Sequence, residues 1–97
     1  MSETYQSFYQ NEDRALEITI NDQDGNDFAP SAAWAQVRTD TGTIVIAEQS
    51  AMVVGNQIRT IIGTTVTATA GEYKVIWRIT YGGHTYFHIT ILEVQEW

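Results

Sequence analysis

Apolar and polar residues alternate with a period of two along most of the chain. In RALEITI, residues 14–20, Leu16, Ile18 and Ile20 fall on one face with Glu17 and Thr19 on the other, the signature of a half-buried strand. AAWAQVRT, residues 32–39, sets Ala33, Ala35 and Val37 against Trp34, Gln36 and Arg38. Asp40-Thr41-Gly42 reads as a turn, and TIVIA continues as a strand around Ile44 and Ile46. AMVV and QIRTII flank Gly55-Asn56, a pair suited to a tight hairpin. TTVTATA alternates Thr65, Thr67 and Thr69 with Val66, Ala68 and Ala70, so it too reads as a strand. EYKVIWRIT puts Tyr73, Val75, Trp77 and Ile79 on one face, and Gly82-Gly83 turns the chain into a last strand, HTYFHITILEV.

No segment of useful length has helical spacing. Seven or so short strands separated by turn signals predict a single all-β domain, a sandwich in preference to a barrel. Residues 11–97 are assigned to the sandwich and residues 1–10 to an N-terminal arm. Within that pattern Gly71-Glu72-Tyr73 is similar to the Gly-x-Tyr that opens a late strand in immunoglobulin-like sandwiches, where the tyrosine hydroxyl bonds to backbone upstream. Trp34, on an early strand, is the candidate core tryptophan of the same arrangement. The plain alternative is that both are ordinary core aromatics.

Composition narrows the chemistry. The absence of cysteine removes disulfides and thiolate metal sites. No apolar run approaches the roughly 18 residues that a membrane span needs, and MSETYQSFYQ lacks the basic and apolar regions of a signal peptide. A soluble, unexported protein with no membrane partner is expected. The net charge is -7, with seven acids against Arg14 alone in residues 1–27. Five scattered bases do not build a phosphate track, so direct nucleic-acid binding is not expected. An acidic surface of this kind suits a partner with a basic patch.

Candidate chemistry is sparse. His84 and His88 would chelate a metal from a helix, but on a strand they stand about 13 Å apart along one face. A solvent-facing or rim pair is expected there. Asp22, Asp24, Asn26 and Asp27 around Gly25 resemble a calcium loop superficially. Counted from Asp22, however, the sixth residue is Asp27 and the twelfth is Ala33, where an EF-hand needs glycine and glutamate. A turn capped by its own side chains accounts for them. Ser31 and Ser50 have no nearby histidine in sequence, no phosphate-cradling glycine loop is present, and Glu12-Asp13 lies in a segment expected to be exposed. No enzyme, metal or cofactor is expected.

The order of features is similar to a recurrent domain of tailed-phage virion proteins, and it resembles the N-terminal domain of the phage baseplate upper protein family. The counterparts are Asn11-Glu12-Asp13, the strand at 14–20, Asp24-Gly25, Asp27-Phe28, Gly42, and Gly71-Glu72-Tyr73 with its hairpin. The family's opening glycine is missing, and Phe28 stands where leucine is usual. The resemblance spans about residues 8–94 and implies a non-enzymatic immunoglobulin-like antiparallel sandwich in a virion. On that basis a capsid decoration or cement protein is expected, assembled in the host cytoplasm and lying across neighbouring subunits of the major capsid protein. Self-association is open. A neck, tail or baseplate component is the alternative within the particle, and a carbohydrate-binding module the alternative outside it. The residues expected to make contact are Tyr5, Phe8, Tyr9, Tyr81, Tyr86 and Trp97, because aromatics on polar ends anchor interfaces. The competing expectation is that the terminal aromatics fold back over an open edge of their own sandwich.

Overall fold

A computed structural model of the chain describes residues 2–20 and 29–96. The turn expected at Asp22–Asp27, Phe28 and Trp97 lie outside the described residues. The elements are β1 (Ser2–Tyr9), β2 (Arg14–Thr19), β3 (Ala32–Thr39), β4 (Ile44–Val54), β5 (Gln57–Ile62), a single helical turn α1 (Thr64–Thr67), β6 (Gly71–Tyr81) and β7 (His84–Gln95). The seven strands form one curled sheet in the order β1-β7-β6-β3-β4-β5-β2. Its two halves fold onto each other as an all-β sandwich.

The curl is made by β4. Its first part pairs with β3 from Ile44 to Ala51, and its last residues, Met52–Val54, pair with β5. The register against β3 shifts twice, between Ala35 and Val37 and between Val37 and Arg38, each time placing an extra residue on β4. Such bulges bend a strand and increase its twist, which lets one strand leave one layer and enter the other. TIVIA and AMVV are therefore one strand rather than two.

Alternation sends one parity of each strand inward. Leu16, Ile18, Ile58 and Ile62 from the smaller layer meet Ala33, Ala35, Val37, Tyr73, Val75, Trp77, Ile79, Leu92 and Val94 from the larger. Trp77 is fully buried (0% exposed) and is the central tryptophan. Burying a side chain of that size contributes about 4–6 kcal/mol of transfer free energy. Trp34 is not the core tryptophan. It occupies the opposite parity from Ala33 and Ala35, half-buried on the outer face with the Arg78 guanidinium 3.9 Å from its ring centroid. The tyrosine corner is present: the Tyr73 hydroxyl donates to the Thr69 carbonyl at 2.8 Å, four residues upstream.

Residues 2–9, read as an arm, are laid down as β1 in the same sheet. They run parallel to β7 from Ser2↔His88 to Tyr9↔Gln95, so the sandwich is mixed and not purely antiparallel. Phe8 sits beside Val94 and is 1% exposed, which fixes the strand to the core. Asn11, with φ 69, turns the chain into β2, a left-handed conformation that asparagine tolerates better than most residues. The α1 turn holds this corner: Asn11 N–H donates to the Thr67 carbonyl at 2.9 Å and the Thr67 hydroxyl to the Glu12 carbonyl at 2.6 Å. Thr67 and Val66 are both buried, which a half-buried strand cannot achieve for neighbouring residues. At the opposite end Gly82 and Gly83 have φ 58 and 78, the paired positive values of a tight hairpin turn.

Candidate interaction face

The larger layer has an outer face that no element among the described residues covers. Its side chains come from the parity opposite to the core, and the strand registers order them in rows. Tyr5, Ile91, Lys74, Arg38 and Ile44 form one row across β1, β7, β6, β3 and β4. Glu3, Ile89, Ile76 and Gln36 form the next, and Phe87, Arg78, Trp34 and Ser50 the one after. On the other side of the Lys74 row, Ser7, Glu93 and Glu72 make a polar row.

This face carries an apolar stripe among its charged and polar residues, centred on β7 and β6. Tyr5 is 74% and Phe87 51% exposed, and between them Ile76, Ile89 and Ile91 are half-buried only by their neighbours. β7 reads F-H-I-T-I-L-E-V, apolar on both parities, where a strand with one wet face alternates cleanly. Contiguous exposed apolar surface of this kind marks contact sites. A shallow hollow of about 200 Å³ lies at its β1 border, lined by Tyr5, Gln6, Ser7, Ile91 and Glu93.

Charge on the face is uneven. The Arg78 Nη2 donates to Glu48 Oε1 at 2.7 Å, which lowers the Glu48 carboxyl below its ordinary value and raises Arg78. The Tyr5 hydroxyl donates to Glu3 at 2.9 Å; that bond, and then the carboxylate charge, raise the tyrosine. Arg14–Glu12 and Arg59–Glu17 are ion-paired elsewhere on the molecule. Among the described residues Arg38 and Lys74 form no ion pair with a carboxylate; Arg38 Nε donates to Gln36 Oε1 at 2.6 Å.

Of the residues expected from the sequence to make contact, only Tyr5 lies in the middle of this face's β1 border. Tyr9, 51% exposed, ends the strand, its N–H donating to Glu12 Oε1 at 2.6 Å. Phe8 belongs to the core, because its parity follows Thr4 and not Tyr5 and Tyr9. Tyr81 and Tyr86 sit apart at the β6–β7 hairpin, 42% and 46% exposed, with the His84 ring edge-on to Tyr86 at 6.4 Å between centroids.

The histidines also separate. His84 is exposed, whereas His88 faces inward and is 8% exposed, so it is neither solvent-facing nor on the rim. There it belongs to a polar cluster inside the core. Trp77 Nε1 donates to the Thr90 hydroxyl at 2.9 Å, Thr90 bonds Thr4 at 2.8 Å, and Thr4 bonds His88 Nε2 at 3.1 Å. Thr90 accepts from Trp77 and keeps a second lone pair and its own proton, so the Thr90–Thr4–His88 links run in either direction according to the imidazole tautomer. Burial lowers the His88 pKa below its ordinary 6.5, favouring the neutral ring, while the Glu3 charge opposes the shift. The cluster joins β1, β6 and β7. Period-two reading hides it, because threonine and histidine at inward positions look like lapses in the pattern. Among the described residues no group of three or more histidine, cysteine, aspartate or glutamate side chains is placed to hold a metal ion.

No family model matches the chain, and no curated protein matches it. Among solved structures it is similar to the CBM51-2 and INT domains of Clostridium perfringens ZmpB. The TM-score is 0.55 at 15% identity, over 96% of this chain and 19% of that one. The chain thus spans a small part of the structure that it matches, and at this identity the likeness is one of fold.

Proposed function

We propose that the protein is a non-enzymatic structural protein of a tailed-bacteriophage particle that docks through the outer face of its larger layer. The observation that carries the docking is the run of Ile76, Phe87, Ile89, Ile91 and Tyr5, over which no element among the described residues packs. The virion setting rests on the resemblance to the baseplate upper protein family. A decoration or cement role across neighbouring capsid subunits fits a small module that docks through one face of its sheet. Binding only the assembled shell would then stabilise it by mass action. A neck, tail or baseplate position uses the same face and differs in the partner.

The carbohydrate-binding reading is favoured by the name of the structural neighbour and by the exposed rings of Tyr5 and Phe87. Against it, the middle of the face is aliphatic, and one face of Trp34 is already stacked under Arg78. Sugars prefer open aromatic platforms surrounded by hydrogen-bonding groups.

The test is mass spectrometry and labelling of purified particles. The protein should copurify at stoichiometric level, and I76S/I89S should fold yet fail to join particles. Absence from particles, combined with specific glycan-array binding, would replace this reading with the carbohydrate one. Deleting residues 1–10 would not isolate docking, since it removes Phe8 from the core.

A further inference from the structure

The bases of this chain are distributed in an informative way. Against twelve acids there are five bases. Arg14, Arg59 and Arg78 each hold a carboxylate. Arg38 and Lys74, which hold none among the described residues, stand directly opposite each other on β3 and β6. Like charges facing across adjacent strands destabilise a sheet. Both are half-buried, and their row is flanked by Ile91 and Tyr5 on one side and Ile44 on the other. The row above is apolar in its middle, through Ile76 and Ile89 between Glu3 and Gln36, while the row below sets Glu72 opposite Glu93. Those carboxylates lie one row away and outside ion-pairing distance of either base.

We propose that this pair is a recognition element for a protein partner that presents carboxylates beside apolar side chains. This rests on the reading of the outer face as a docking surface and names its partner's chemistry. The Arg38 fork is pre-set, since its Nε is already bound to Gln36, leaving the terminal nitrogens to grip a carboxylate. Lys74 adds a second charge one strand away, and Ile76, Ile89, Ile91 and Tyr5 receive the apolar groups. An acidic protein segment fits better than the alternatives. Two bases next to two acids do not track a phosphate backbone. In that row Tyr5 offers a ring to a sugar, but the residues nearest the two bases, Ile76, Ile89 and Ile91, are aliphatic. A second copy presents the Glu72–Glu93 row of the same chemistry, and sedimentation distinguishes that case from a separate acidic segment.

The experiment titrates the isotope-labelled protein with three probes and follows backbone amide shifts. The probes are an eight-residue peptide alternating aspartate and leucine, the same peptide with lysine for aspartate, and an oligogalacturonate. Sedimentation of the protein alone runs alongside. The aspartate peptide should shift the amides of Lys74, Ile76, Ile89 and Ile91, with affinity falling as salt rises. R38Q/K74Q should weaken it at least ~10-fold. The same variant should melt no lower than the wild type, because the opposed charges serve binding and not folding. A variant that melts well below wild type, or binds unchanged, overturns the proposal. Preference for the lysine peptide at the same amides refutes the partner chemistry but leaves the docking face standing. Shifts with the oligogalacturonate alone defeat both, a dimer through this face assigns the surface to a second copy, and no shift with any probe also overturns the proposal.

Discussion

Thr90 is the joint of the buried polar cluster, and replacing it with valine isolates what its hydroxyl does. The residue is 1% exposed and its partner Trp77 is 0% exposed. Valine keeps the shape, so no cavity forms, but two hydrogen bonds go: Trp77 Nε1 at 2.9 Å and Thr4 Oγ1 at 2.8 Å. The indole N–H is then buried without an acceptor, a desolvation cost of about 1–3 kcal/mol, and the lost Thr4 bond adds about 1 kcal/mol. The extra apolar methyl offsets a part of this. A net loss of about 2–3 kcal/mol is expected, a large share of the 5–15 kcal/mol that holds a typical domain together. In a domain of this size that lowers the melting midpoint by about 8 °C or more. Urea unfolding followed by tryptophan fluorescence and far-ultraviolet dichroism measures it, with m unchanged. Thr90→Ser, which keeps the hydroxyl and loses a methyl, should cost less, about 1 kcal/mol. A valine variant within about 0.5 kcal/mol of wild type, or a serine variant worse than valine, would mean that packing and not the hydroxyl matters at this position.

Tyr73→Phe should lose about 1 kcal/mol from the bond to the Thr69 carbonyl while the far-ultraviolet spectrum stays the same. Phe8→Ala should cost about 3–5 kcal/mol, and hydrogen exchange should quicken first along β1 and its partner edge of β7. The pH dependence follows from His88. Its folded pKa lies below 6.5, so the unfolded chain takes up the proton first. Its contribution is therefore full above that value and is lost as pH falls toward the folded pKa. Urea midpoints should drop between pH 7.5 and 5.5, and H88Q should flatten that drop; an unchanged slope in H88Q would place the titration elsewhere.

Where alternation and turn chemistry act locally, the sequence was legible. QIRTII, AAWAQVRT and the Gly82-Gly83 hairpin fall where the pattern puts them, because each strand has one wet and one dry face. The tyrosine corner was also readable, since Gly71 and Tyr73 mark a strand start. What stayed hidden depends on pairing over distance. Nothing in SETYQSFY shows that it will pair in parallel with β7, eighty and more residues away. The polar stretch Glu48–Ser50 looks like a break between strands, although β4 runs through it with Gln49 and Ser50 paired to β3. TTVT keeps a period of two over too few residues to distinguish a strand from one helical turn. Trp34 and Trp77 both follow a regular alternation, and only their neighbours decide which is inside: small Ala33 and Ala35 leave room for Trp77. The outer face was present in the sequence as isoleucines on the wet parity of β6 and β7. Tyr81 and Tyr86, which stand out in the sequence as aromatics beside a turn, lie at the β6–β7 hairpin, apart from the aliphatic stripe beside Tyr5.

The central claim is that the protein works by docking the outer face of its β1-β7-β6-β3 layer onto another protein. A cryo-electron microscopy reconstruction of the particle that carries it tests this most directly. The expected result is a partner chain covering Tyr5, Ile76, Phe87, Ile89 and Ile91, with carboxylates at Arg38 and Lys74. A reconstruction in which that face stays bare and contact runs instead through the Tyr81–Tyr86 hairpin would contradict it.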